Sequence, residues 1–149
     1  MTPTFFDTFE RRGCLLKELQ EWLGTPFVHR AHIKQAGIDC VQLIGQVMTK
    51  CGVVGSYDFG NYPLDWGEHR ADSLIVQYIE GTHRFAQIIG DTELGDIICF
   101  RVGRCAQHCG IAIDELHFEH VLVHGRVTIN QLDDITWRSR VACIYRPLP

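Results

Sequence analysis

From Asp7 to Leu23, Phe9, Leu15, Leu16, Leu19, Trp22 and Leu23 recur between charged residues, a spacing that predicts an amphipathic first helix despite Gly13. Gly24 closes it, and Thr25-Pro26 imposes an extended exit. Phe27 to Ala36 has no clear period and reads as a polar loop leading into Gly37. Helical spacing returns with Leu43, Ile44, Val47, Met48 and Cys51, behind Asp39 as N-cap and before Gly52 as stop. Gly52, Gly55, Gly60, Asn61 and Pro63 then mark a long connection of the kind that rims binding clefts. Arg70 to about Ile79 predicts a short packing helix ended near Gly81, with a less regular segment continuing to Ile89. After Gly90 the period changes. Asp96 to Val102, Gln107 to Ile113, Phe118 to His124, Arg126 to Leu132 and Val141 to Tyr145 are short, β-rich and separated by turn signals. Helices first and a meander of strands second predict an α+β fold, a helix packed on an antiparallel sheet of about five strands.

Composition narrows the function classes. The 149 residues suit one domain, 1–149, without internal repeat or linker, and 46% hydrophobic with 21% charged residues is ordinary for a globular chain. A net charge of -4 supplies no basic field for nucleic acid, and no stretch suggests a membrane partner. Met1 to Phe9 has no basic region followed by an apolar run, so the expectation is synthesis in the cytoplasm without a secretory leader. Seven cysteines form an odd set without a small-scaffold spacing, which predicts mostly reduced thiols.

The chemistry concentrates at Gly37-Ile38-Asp39-Cys40, where a cysteine opens the second helix. The positive end of a helix favours thiolate, the form that attacks a carbonyl. A buried structural cysteine is the plain alternative, and a partner base is what decides between them. Among eight histidines, His108 begins the strand Gln107 to Ile113, at the sheet margin where a helix N-terminus can meet it. Strand alternation puts Phe118, His120, Leu122 and His124 on one face, so His120 or His124 can stand behind His108 as its orienter. His29 and His32 read as exposed loop residues or substrate contacts, while His69, His83 and His117 have no recommending context. Cys99, Cys105, Cys109, His108, His120 and His124 also gather soft ligands, but without the close ligand pairs of tight zinc sites; alternation turns Cys109 away from His108, and no metal or other cofactor is expected.

Five signposts in order then resemble the NlpC-type family of papain-like cysteine peptidases, which cut peptide bonds in the bacterial cell wall. They are Gly24-Thr25-Pro26-Phe27, Gly37-Ile38-Asp39-Cys40, Leu94-Gly95-Asp96-Ile97-Ile98-Cys99-Phe100, Gln107-His108-Cys109-Gly110-Ile111-Ala112-Ile113 and Phe118-Glu119-His120-Val121. The resemblance implies a papain-like fold with Cys40 as nucleophile, His108 as general base and later acid, and His120 as orienting third residue, with His124 as fallback. Its implied substrate is a peptidoglycan stem peptide, cut at a γ-D-glutamyl-diaminopimelate bond and touched by Asp39, Phe27, His29 and Gln42. The family commonly shows Asp-Cys-Ser-Gly and a tyrosine at the position of Phe27; here Val41 and Gln42 follow Cys40, which bears on recognition of a free N-terminal L-Ala. Arg101-Val102-Gly103-Arg104 and Trp137-Arg138-Ser139-Arg140 are similar to phage-tail and prophage members, implying phage-tail proteins as partners and a virion as the route to the wall. Two other readings stand beside this one: a cysteine amidase or transferase on another amide or thioester, and a non-catalytic phage-tail assembly protein.

Overall fold

The computed structural model describes residues 1–65, 73–103 and 105–149. Helix α1, Phe9–Trp22, starts where the Thr8 hydroxyl accepts from Arg11 N–H at 3.1 Å. Its buried stripe is Leu15, Leu19 and Trp22; Phe9 and Leu16, expected on the apolar face, lie one step around the helix and are exposed at 87% and 47%. The segment read as a loop carries a small antiparallel hairpin, β1 His32–Ile33 and β2 Gly37–Ile38, which leads directly into α2, Cys40–Lys50. Gln35 makes its turn with φ of 66°. Asp39 caps α2 as expected, its Oδ1 accepting from Gln42 N–H at 2.9 Å, and Gly52 follows the helix with φ of 83°.

Helix α3, Leu74–Thr82, is capped by Ser73 and ends on His83 in the left-handed region, just past Gly81. The expected start at Arg70 lies outside the described residues, as do His69 and Arg104. The irregular segment after it is a strand, β3 Phe85–Ile88. Then come β4 Ile97–Val102, β5 Cys105–Ala112, β6 His117–His120, β7 Thr128–Gln131, the single turn α4 Ile135–Arg138 and β8 Val141–Pro147. These strands form one antiparallel sheet in the order β3-β8-β4-β5-β6-β7. It has one strand more than expected, and it is not a plain meander, because the last strand enters between β3 and β4. Asp96 and Arg146 fasten that insertion. The guanidinium donates from Nε to Oδ1 at 3.0 Å and from Nη2 to Oδ2 at 2.8 Å, with both residues buried. Gly95 beside them has φ of 94°, and a Cβ there would meet the Phe6 ring at 2.2 Å.

Alternation divides the core in two. Ile97, Cys99, Cys109 and Ile111 pack with the stripes of α1, α2 and α3, whereas Ile98, Phe100, Ala112 and Phe118 pack with Trp137 of α4. No helix among the described residues is long and apolar enough to cross a membrane.

Glu119 breaks this pattern. Paired in register with Ile111 and Ile129, it is 1% exposed, and its carboxyl oxygens have no hydrogen-bond partner among the described residues. Burial raises its pKa from 4.5 to about 8. Between those values the folded protein keeps a proton that the unfolded chain has released, so stability falls as pH rises through that window. At about 1.4 kcal/mol per unit, the loss is on the order of a few kcal/mol. Glu119→Gln removes this dependence. Melting temperatures at pH 5 and pH 8 are expected to fall more in the wild type than in the variant, and parallel falls would refute the assignment.

Candidate active site

Helix α2 aims its N-terminus at the middle of β5. Cys40 is its first residue, so its backbone N–H has no acceptor within the helix and faces outward with the helix's partial positive charge. The thiol lies in a cleft of about 290 Å³ bounded by Phe27, His29, Asp39, Tyr62, His108 and Trp137, among others. Its pKa is lowered from 9.0 to about 6. The Cys109 S–H hydrogen-bonds it, and His108 adds a hydrogen bond and a neighbouring positive charge; burial and the Asp39 carboxylate oppose them without prevailing.

Behind the thiol runs a row of polar side chains across three strands. His108 Nε2 lies 2.8 Å from His120 Nδ1, and His120 Nε2 lies 2.6 Å from Asn130 Oδ1. Burial, with the charge of His108 beside it, lowers His120 to about 4 against the opposing effect of Asn130, so it is neutral near pH 7. A neutral His120 that donates Nε2–H to the Asn130 carbonyl must accept at Nδ1. His108 therefore donates Nε2–H, leaving its Nδ1 as the atom that takes the hydrogen bond of Cys40. Packing locks both rings. His108 lies 5.6 Å from Phe100 and 5.7 Å from Trp137, and His120 lies 4.6 Å from Phe118 and 4.8 Å from Trp137, centroid to centroid. The strand begins at Cys105 rather than Gln107, so His108 sits inside β5 and not at its start.

The Asp39 carboxylate is occupied from several sides. Besides the Gln42 N–H on Oδ1, its Oδ2 accepts from Arg30 N–H at 2.8 Å and from the Tyr62 hydroxyl at 2.6 Å. His29 Nε2–H donates to the Tyr62 carbonyl at 3.1 Å and shares the wall of the cleft. Phe27 lines the cleft too. Gln42 stands apart: buried, it donates to the Tyr62 hydroxyl at 3.2 Å and accepts from the Tyr57 hydroxyl at 2.7 Å, beside a separate shallow cleft. His124 does not reach His108, because β6 ends at His120 and His124 is an exposed turn residue with φ of 67°. Tyr62, Cys109, Asn130 and Trp137 were not marked by sequence as site residues. For Asn130 the sequence offers only its place on the strand expected over Arg126 to Leu132; the register of β7 on β6, which sets it one diagonal step from His120, comes from the structure.

Among the described residues, no group of three or more His, Cys, Asp or Glu side chains is placed to hold a metal ion. Strand alternation is the reason: it sends Cys99 and Cys109 to one face of the sheet and the imidazoles to the other. The remaining arrangement is a low-pKa thiol, an imidazole in contact with it, and two groups fixing that imidazole's tautomer. Such a set can generate a thiolate and return a proton to a leaving group.

Comparison with known proteins agrees with this fold. The NlpC/P60 family model matches residues 24–146, and the chain belongs to that family. A search of curated proteins gives no significant match. Among solved structures, a lipoprotein-like NLP/P60 family protein of Staphylococcus aureus is similar with a TM-score of 0.68 and 18% identity, over 100% of this chain and 45% of that one. An NlpC/P60 family protein of Bacillus cereus gives 0.63 and 19%, over 100% and 42%. The NlpC/p60 domain of the peptidoglycan hydrolase SagA gives 0.58 and 16%, over 92% and 98%. The chain thus spans less than half the length of the first two, and these likenesses bear on the fold.

Proposed function

We propose that this protein is a cell-wall cysteine peptidase that hydrolyses an amide bond in peptidoglycan stem peptides, at a γ-D-glutamyl-diaminopimelate linkage. Membership of the NlpC/P60 family and the fold shared with a peptidoglycan hydrolase domain support the substrate class. The observation that carries the chemistry is the continuous row running from Cys40 and His108 in the cleft to His120 and Asn130 behind them.

In this mechanism the Cys40 thiolate attacks the amide carbonyl, and the helix-start N–H of Cys40 donates to the developing oxyanion. His108, protonated at Nδ1 when the thiolate forms, gives that proton to the leaving amine. The thioester is then hydrolysed by a water that His108 deprotonates, which restores the thiol. His120 holds the imidazole through its Nε2–H, and Asn130 holds His120 in the accepting tautomer. Asp39 accepts one internal donor at Oδ1 and two at Oδ2, so its carboxylate serves the scaffold first; it also lines the cleft, and the proposed chemistry does not require a free substrate amine there. Delivery to the wall by a phage particle is part of the same proposal, supported by the likeness of Arg101 to Arg104 and Trp137 to Arg140 to phage-tail members.

Purified peptidoglycan incubated at pH 7 with the protein, or with protein first alkylated by iodoacetamide, tests the reading by mass spectrometry of the soluble products. New stem-peptide ends from the untreated protein only are expected. Identical profiles from both would overturn it, and cleavage of simple amides without wall fragments would favour the amidase reading.

A further inference from the structure

Residue 109 lies on the opposite face of β5 from the base, and that face is where α2 docks. Cys109 is fully buried, and its Sγ donates to the backbone carbonyl of Cys40 at 3.3 Å. Turned about its Cβ–Sγ bond, the one S–H proton serves the Cys40 sulfur instead, the hydrogen bond that favours the Cys40 thiolate. A second thiol against a nucleophile is not required for acyl transfer, for which His108 and His120 suffice. We propose that Cys109 is a resolving cysteine, and that the Cys40 and Cys109 pair is a site of reversible oxidation by hydrogen peroxide.

Access makes the order of events definite. Cys40 is partly exposed in the cleft and is the sulfur a small oxidant meets first, whereas Cys109 lies beneath it. The Cys40 thiolate attacks one oxygen of peroxide; the O–O bond breaks, the sulfur is oxidised by two electrons to sulfenic acid, and the hydroxide released takes a proton to become water. Burial and the adjoining Cys40 thiolate hold Cys109 protonated; once Cys40 is a neutral sulfenic acid its charge no longer does so, and the Cys109 sulfur attacks the Cys40 sulfur as its proton passes to the departing hydroxide. An S–S bond forms, the S–OH bond breaks, and the hydroxide leaves with the Cys109 proton as a second water. Without a neighbouring thiol, sulfenic acid goes on to sulfinic and sulfonic acids, which a dithiol does not reduce. The inference rests on Cys40 being the reactive thiol of the proposed mechanism and is independent of which amide is cut.

Two other thiol pairs provide an internal comparison. Cys14 and Cys51 stand with sulfurs 3.4 Å apart, and Cys99 faces Cys143 across β4 and β8, so a change in whole-protein mass is not diagnostic. The test is therefore peptide mapping after hydrogen peroxide, with half of each sample then treated with dithiothreitol and all free thiols counted with iodoacetamide. In the wild type, a linked pair of peptides carrying Cys40 and Cys109 is expected, and dithiothreitol restores the Cys40 thiol. In Cys109→Ala, and independently in Cys109→Ser, the restorable fraction of Cys40 is expected to fall by about tenfold, with sulfinic and sulfonic forms in its place. Wild-type Cys40 that passes to sulfinic acid with no Cys40 to Cys109 link would overturn the inference. This readout uses the wild-type protein and needs no peptidase assay, so it fails or succeeds separately from the peptidoglycan digest.

Discussion

Cys40→Ala and His108→Ala are each expected to lower turnover on peptidoglycan by about a thousandfold or more, and the double variant by no more than the worse single one. The near equality follows from the geometry. Without the thiol there is no nucleophile for His108 to serve; without His108 the thiolate loses a hydrogen-bond partner and the leaving amine loses its proton donor. The two variants differ in what they leave behind. Alkylation of wild-type Cys40 by iodoacetamide is expected to reach half its maximal rate near pH 6. In His108→Ala that midpoint rises, because the imidazole's hydrogen bond and positive charge are gone, though the Cys109 contact and helix end still favour thiolate. An unchanged midpoint, or turnover within tenfold of wild type, would remove His108 from the mechanism. His120→Ala is a graded control: it spares the thiol and the base but frees the ring whose Nε2–H it accepts.

The parts of this site that sequence revealed are those with short-range causes. The Asp39 cap and the stripe of α2 place Cys40 at a helix start through residues within one helix, and alternation along β5 and β6 puts His108 and His120 on a common face. The helix-then-strand order likewise gives the α+β class. Other features depend on which distant segments dock. Tyr62 lies in a turn-rich stretch without a period, 23 residues from the carboxylate it bonds, and nothing local points it there. The insertion of β8 between β3 and β4 depends on the Asp96 and Arg146 pair, 50 residues apart. The β1 and β2 hairpin is two residues long on each side, too short for a pattern to register. Cys109 shows the limit most sharply: alternation correctly turns it away from His108, yet only the packing of α2 on that face makes the turned-away residue the nucleophile's neighbour.

Asp39→Ala is expected to destabilise the protein by about 4 kcal/mol, because one truncation orphans three donors at once. The loss of an N-cap costs about 1 kcal/mol, and each buried donor left unpaired about 1–3 kcal/mol more, with partial relaxation. The Gln42 N–H lies in the first turn of α2, the Arg30 N–H belongs to a residue with φ of 64°, and the Tyr62 hydroxyl anchors the loop that walls the cleft. Asp39 thus pins three separate segments around Cys40, and chemical denaturation is the direct measure of that role. Asp39→Asn separates charge from scaffold. It keeps an oxygen for the Gln42 N–H but removes a negative charge that raises the Cys40 pKa, so the alkylation midpoint moves below about 6 while stability still falls. A substrate-gripping Asp39 predicts the opposite division, with KM raised for substrates bearing a free amine and the unfolding free energy untouched. The three segments that its carboxylate already holds are why the structural outcome is the expected one.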